Sequence, residues 1–275
     1  MKLEFTKMHG CGNDYVYIDC FHQTVEDPAA LAIRLSDRHK GIGGDGVILI
    51  CPSSVAAAKM RMFNLDGSEG KMCGNGVRCV AEYLFVHGMV QGDSVDIETL
   101  SGIKHIVRNA PGLLTVDMGA PVLEPAQIPV LGFTKPVVNQ LVEVNGGAVR
   151  ITCVSMGNPH CVLFVQDTDR LNLPAEGGRF EHYKLFPEGV NTEFVQVLDA
   201  THLKMRVWER GSGETLACGT GTCASVVAAC LCGMCKKNTD VEVALLGGTL
   251  TIRYTGKTVY MTGEAVTVFE GTAEV

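Results

Sequence analysis

At 275 residues the chain has room for one large domain or two of medium size. With 46% hydrophobic and 19% charged residues it is globular and able to build a core. A formal net charge of −7 with no dense Lys/Arg stripe argues against nucleic acid and against anionic membrane surfaces, so the expected partner is a small molecule.

The opening MKLEFTKMHG lacks an apolar core of signal-peptide length, and no run approaches a membrane span without a charge or turn residue, so a cytoplasmic protein is expected. In that setting the 12 cysteines are expected to be reduced thiols, many of them small core residues. Alternating runs at 2–10, 15–19, 46–50, 59–64 and 94–100 predict strands bounded by Gly, Asp or Asn. Residues 26–39 predict a helix with Pro28 in its first turn. The segment 75–86, NGVRCVAEYLFV, is apolar on most faces and predicts a buried helix stopped by Gly88. Strands follow at 102–109 and 113–119, and the proline-rich PVLEPAQIPV, 121–130, is a candidate linker or domain boundary. Strands are then expected within 151–165, 193–199 and 203–211, a helix over 221–233 ending at Gly233, and further strands through 240–271.

The chain then repeats itself. GKMCGNGVRC (Gly70–Cys79) and TLACGTGTC (Thr215–Cys223) each place a cysteine before a Gly-X-Gly and a helical run. An offset of 145 carries Cys73 onto Cys218, Gly12 onto Gly157, Asn13 onto Asn158, Asn64 onto Glu209, Glu69 onto Glu214 and Gly76 onto Gly221. An internal duplication is expected; coincidence among common Gly and Cys positions is the alternative.

A cysteine just ahead of a helix sits beside unsatisfied N–H groups and the positive end of the dipole, which favours thiolate and lowers its pKa from about 8.5 toward neutrality. The N–H groups of Gly74, Asn75, Gly219 and Thr220 are placed to hold a carboxylate. A base and an anion cradle together suit proton abstraction beside a carboxylate, and two such motifs suit inversion of a stereocentre. No Lys-Ser/Thr follows the glycines, as a P-loop needs, and no triply spaced glycine fingerprint for a nicotinamide is present. Other readings stay open at this point. The thiols can be structural helix caps, Cys232-Gly-Met-Cys235 can be redox-active or half of a zinc site, and the protein can be a non-catalytic binding protein. His9 and His39 stand apart, whereas His160, in GNPH beside Asn158, is the better functional candidate.

MHGCGNDY, MFNLDGSEGKMCGNGVRC, SMGNPHC, VNTEFV, ERGSGETLACGTGTCAS and MTGEA, in that order over nearly the whole chain, resemble diaminopimelate epimerase. The resemblance implies an α/β (α+β) fold of two pseudo-symmetric domains, each a curled, mostly antiparallel sheet or barrel around a central helix. These domains would be 1–118 with 262–275, and 119–261, with the active site in the cleft between them. It implies cofactor-independent epimerisation of LL- to meso-diaminopimelate in lysine and peptidoglycan precursor synthesis, with no pyridoxal phosphate and no metal, by a homodimer. Carried over by position, Cys73 and Cys218 would be the two bases. Asn13, Asn64, Gly74, Asn75, Asn158, Asn191, Glu209, Arg210, Gly219 and Thr220 would bind substrate, and His160 and Glu209 would tune the thiols. Arg210 would anchor the distal carboxylate bidentately, and Glu209 would accept from an ammonium group. Two departures stand out: Gly46 where the family more often has Gln, and Phe269 where some relatives have a tyrosine linked to dimer packing. Proline racemase and phenazine-biosynthesis isomerases are the nearest alternatives within the same fold. The latter typically lack the cysteine pair.

Overall fold

The computed structural model describes residues 2–274. The chain is a mixed α/β protein, mostly strands with four α-helices among the described residues. It divides into two compact units, Met1–Asp117 with Thr262–Val275, and Met118–Met261.

The first unit runs β1 (Lys2–Gly10), β2 (Asn13–Asp19), α1 (Pro28–Ser36), β3 (Gly46–Cys51), β4 (Ala58–Asn64), β5 (Glu69–Gly70), α2 (Gly74–Val86), β6 (Ser94–Thr99), β7 (Gly102–Ala110) and β8 (Leu113–Gly119). Neighbouring strands pair antiparallel except at β2–β3 and β4–β6, which are parallel. α1 starts where Asp27 Oδ1 accepts from the Ala30 N–H at 3.0 Å, with Pro28 opening the first turn. It covers one face of the sheet through Leu31 and Leu35, which pack on Val16, Ile18, Val47, Leu49 and Phe63. α2 packs against β1, β2, β4, β6 and β7 and is buried from Gly74 to Phe85. Burying a residue such as Leu84 or Val80 there stabilises the fold by about 1.5–3 kcal/mol each. Gly88, at φ 65°, follows its end.

The second unit runs β9 (Gln140–Val144), β10 (Gly147–Ser155), β11 (Pro159–Val165), α3 (Leu173–Glu181), β12 (Asn191–Val197), β13 (His202–Glu209), β14 (Gly213–Thr215), α4 (Gly219–Leu231), β15 (Asp240–Leu245) and β16 (Gly248–Tyr254). β17 (Val259–Glu264) carries the chain out of it, and β18 (Val266–Glu274) pairs antiparallel with β1 in the first unit. The parallel pairs fall again at the same places, β11–β12 and β13–β15. β9 borders β10 as β18 borders β1. The offset of 145 seen in the sequence carries β1 onto β10, α1 onto α3 and α2 onto α4 residue for residue.

Two expectations change. The proline-rich segment 121–130 falls just past the start of the second unit at Met118, but it is not a linker: Val122 exchanges both backbone hydrogen bonds with Ser155 at 2.9 Å, and Ile128 and Val130 lie in the second unit's core. α3 is also absent from the sequence reading. Its LPAEGGRFE carries two central glycines that oppose helix on propensity. Gly177 is required there, because a Cβ would overlap the Trp208 ring packed against it.

Candidate active site

In the first unit Cys73 is the N-cap of α2 in extended conformation, and its Sγ accepts the Gly76 N–H at 3.3 Å. The Gly74 and Asn75 N–H groups then have no acceptor within the helix, leaving an anion cradle beside the sulfur. The thiol faces Asn13 Oδ1 at 3.3 Å, and Asn75 Nδ2 donates to the same oxygen at 3.5 Å. The Asn13 amide cannot turn freely, because its Nδ2 donates to Asp45 Oδ2 at 2.7 Å. Asp45 is held by Arg38 at 3.0 Å, and Arg38 and Lys7 also grip Asp14 at 2.7 and 2.6 Å. Burial alone would push the Asp14 carboxyl up, but these cations more than offset it and hold it below the ordinary range. Beneath the cradle the fully buried Arg78 guanidinium donates to Asn75 Oδ1 at 2.8 Å and to the Gly74 and Glu264 carbonyls at 3.3 Å. Asn64 ends β4 opposite Gly46, with its amide on Ser68 Oγ at 3.0 Å.

In the second unit Cys218 caps α4 in the same way, with the Gly221 N–H on its Sγ at 3.4 Å and Thr220 Oγ1 at 3.5 Å. Gly219 opens that helix. The surroundings differ in charge. The Glu209 carboxyl accepts from Thr215 Oγ1, and its charge bears on the Cys218 thiol. Behind it lies a buried chain: Glu193 Oε1 to His160 Nδ1 at 2.6 Å, and His160 Nε2 to Asn158 Oδ1 at 2.9 Å. Glu193 and His160 are both fully buried, and Glu193 Oε2 has no hydrogen-bond partner among the described residues. A Cβ on Gly221 would lie 2.5 Å from Glu193 Oε1, so glycine there lets the first turn of α4 sit on this carboxyl. Asn191 Nδ2 donates to the Pro159 carbonyl at 2.9 Å, and its Oδ1 accepts the Arg210 N–H at 2.9 Å. The exposed Arg210 guanidinium donates to the Glu188 carbonyl at 2.7 Å.

The expected thiolate does not arise at Cys218. Burial pushes this thiol well above its ordinary value, and the Glu209 and Glu193 charges push the same way. The Thr220 and Gly221 hydrogen bonds only partly oppose them. Burial likewise raises the Glu209 carboxyl. The helix N-terminus is present, but desolvation and two carboxyl neighbours outweigh it.

Similarity to known proteins agrees with this geometry. The sequence model of diaminopimelate epimerase matches residues 5–124 and 152–268. A protein of Acetivibrio thermocellus named diaminopimelate epimerase is 51% identical, covering 99% of both chains. One of the same name from Desulfovibrio desulfuricans is 53% identical, covering 98% of both. The chain belongs to the diaminopimelate epimerase family. Crystal structures resemble the epimerase in fold. A Bacillus anthracis phenazine biosynthesis protein of the PhzF family has a TM-score of 0.73 at 19% identity, covering 100% of both chains. A probable proline racemase from Agrobacterium radiobacter has a TM-score of 0.69 at 15% identity, covering 99% of this chain and 92% of that one.

The structure of the epimerase thus gathers Asn13, Cys73, Gly74 and Asn75 in the first unit, and Cys218, Gly219, Thr220 and Glu209 in the second. His160 joins Asn158, and Asn191 joins Arg210. Three residues of these clusters escape a reading by sequence motif: Asp45, Arg78 and Glu193. Arg78 and Glu193 fall inside the quoted GKMCGNGVRC and VNTEFV, but only the fold shows what they touch. Gly46 has no room for a side chain: a Cβ would overlap the Phe63 carbonyl oxygen and lie 2.8 Å from the Tyr15 ring. Cys232 Sγ faces Thr152 Oγ1 at 3.6 Å, and among the described residues no group of three His, Cys, Asp or Glu is arranged to hold a metal ion. No helix among them is long and apolar enough to cross a membrane.

Proposed function

We propose that this epimerase interconverts LL- and meso-diaminopimelate by two-base proton transfer between Cys73 and Cys218, acting from opposite faces of the α-carbon. The observation that carries it is the duplicated cap: two 13-residue helices, each begun by a cysteine whose sulfur accepts the N–H three residues on. Relatives about half identical to this chain carry the same name. In one direction one cysteine acts as thiolate base and the other as thiol acid, and the roles swap in reverse; burial and two carboxyls disfavour the thiolate at Cys218. The thiolate removes the α-proton, the electron pair spreads into the adjacent carboxylate, and the first-turn N–H groups at Gly74, Asn75, Gly219 and Thr220 stabilise that charge. The opposite thiol returns a proton to the other face and becomes the thiolate, which fits the enzyme for the reverse direction.

Asn13, Asn64, Asn158 and Asn191 offer donors and acceptors without charge, and Arg210 offers a fork to the distal carboxylate. Glu209 accepts from an ammonium group and, with His160, tunes Cys218. The two thiols supply both proton transfers, so the cycle is written without a cofactor. The reaction serves lysine and peptidoglycan precursor synthesis in the cytoplasm, by a homodimer on which β18 leaves Val268 and Phe269 exposed. The test follows deuterium entry at the α-carbon from D2O with LL-diaminopimelate, beside Cys73→Ala and Cys218→Ala. Exchange with epimerisation in the wild type, lost in both variants, is expected. Exchange with proline instead moves the substrate to the racemase class, and exchange that survives either substitution overturns the two-base assignment.

A further inference from the structure

A second pair of cysteines stands at the far end of the strand that carries Asn13. β2 and β3 are parallel, with Ile18 opposite Leu49 and Asp19 opposite Ile50, and the Cys20 N–H continues the ladder to the Ile50 carbonyl at 2.8 Å. The next residues in register are Cys20 and Cys51. Alternation puts Cys20 on the face of Val16 and Ile18, and Cys51 on the face of Val47 and Leu49, which is the same face of the sheet, toward α1. The two thiols pack against the same core cluster and are near enough to influence each other's titration, and both are half-buried, at the margin of the core rather than inside it. Adjacent strands lie about 4.8 Å apart, within the range of roughly 4.4–6.8 Å that a disulfide bridges between Cα atoms.

The electrostatic setting is one-sided. Arg61, stacked on the Phe63 ring with 5.0 Å from guanidinium to centroid, and Lys59, directly opposite Cys51 across β3–β4, both bear on Cys51. The carboxylates facing this corner, Glu69 and Glu98, are already paired with Arg61 at 2.8 Å and Lys59 at 3.0 Å, and Asp19 lies beside Cys20. The neighbouring Cys20 thiol, then the Arg61 and Lys59 charges, bring the Cys51 thiol down to about 7 against its burial. The same pairing, with burial, pushes Cys20 up.

We propose that Cys51 and Cys20 form a thiol–disulfide exchange site that takes small disulfides of the glutathione class, with Cys51 attacking and Cys20 resolving. The Cys51 thiolate attacks one sulfur of RS–SR, that bond breaks, and RS⁻ leaves and is protonated from water. Cys20 gives up its proton to water and attacks the Cys51 sulfur of the mixed disulfide, expelling the second RS⁻, which is protonated in turn. The two cysteines lose two electrons to form one S–S bond, and the small disulfide gains them as two thiols. The site is separate from the cradle at Cys73: β2 spans seven residues between Asn13 and Cys20, about 23 Å of strand.

Full-length reduced protein is exposed to oxidised glutathione at pH 7.5, quenched with acid, alkylated and mapped by mass spectrometry. The expected products are a Cys20–Cys51 bridge in the wild type and a glutathione adduct held at Cys51 in Cys20→Ser. In Cys51→Ser, Cys20 is expected to react at least tenfold more slowly. Both residues remaining alkylatable thiols in the wild type overturns the proposal. So does an adduct at Cys20 in Cys51→Ser that forms as fast as the one at Cys51 in Cys20→Ser. The wild-type map alone decides the bridge if either serine variant fails to fold.

Discussion

Replacing Glu193 by Gln keeps the side-chain volume and removes a charge, which isolates what this buried carboxyl does. Its Oε1 lies 2.6 Å from His160 Nδ1, and both residues are shielded from water. Gln keeps an Oε1 acceptor for His160, so Glu193→Gln loses only the difference between a hydrogen bond to a charged group, about 1.5–3 kcal/mol, and a neutral one, about 0.5–1.5 kcal/mol, which is a loss of about 1 kcal/mol in folding stability. Glu193→Ala also strands His160 Nδ1 and opens a void beneath α4, so it loses more, about 3–5 kcal/mol. A second readout separates charge from packing. The Glu193 charge is one of the causes that raise the Cys218 thiol, after burial and Glu209. Removing it brings Cys218 down, so alkylation by iodoacetamide sets in at lower pH in the variant. Urea denaturation at pH 7 gives the first quantity, and a pH–rate profile of Cys218 alkylation, read by peptide mapping, gives the second. A stability change under about 0.5 kcal/mol, the scale of an ordinary surface substitution, refutes the structural role. A Cys218 profile unmoved or shifted to higher pH refutes the electrostatic one.

Asp45→Ala frees the Asn13 amide to rotate away from Cys73; kcat/KM is expected to fall on the order of 100-fold, and unchanged kinetics would remove Asp45 from the site. Gly46→Gln places a Cβ against the Phe63 carbonyl and the Tyr15 ring, so it destabilises by about 1–3 kcal/mol. A thermal midpoint equal to or above the wild type's would contradict that close contact. Glu209→Gln gives a pH-dependent gain. The folded carboxyl sits above its ordinary value because of burial, while the unfolded chain ionises near about 4.3. The wild type therefore loses stability as pH rises from the unfolded value through the folded one, and the variant does not. Its urea midpoint should gain on the wild type's between pH 4 and pH 7; a difference flat with pH rejects the assignment.

The strands and the two central helices were legible because their signals are local: alternation at 2–10 and 46–50, an apolar run at 75–86, glycines at 88 and 233. The repeat was legible because 145 positions separate matched landmarks without a gap. What stayed hidden was set by tertiary contact. α3 exists because Gly177 lets Trp208 lie against it, which no propensity records. Segment 121–130 reads as a linker by composition, yet Val122, Ile128 and Val130 are claimed by β10 and the core behind it. A cysteine before a helix predicts a lowered thiol. That held as a rule about the helix end and failed at Cys218, where Glu193 and Glu209 arrive from strands far away in sequence. Asn64 and Glu209 occupy equivalent places in the repeat, so a single carboxyl substituted for an amide does much to make one thiol's surroundings unlike the other's.

α2 is enclosed from its first residue to Phe85, so the segment that fills the centre of the first unit is also the one whose tip carries Cys73. A rod gripped on all sides transmits displacement along its length. A methylene added or removed at Val80 or Leu84 is answered either by its neighbours or by sliding of the whole rod, and the sulfur slides with it. Tolerance to substitution in this helix is therefore bounded by chemistry at one end as much as by folding at its middle. Variation that leaves activity intact should come in compensating pairs, one partner on α2 and the other on the strand facing it.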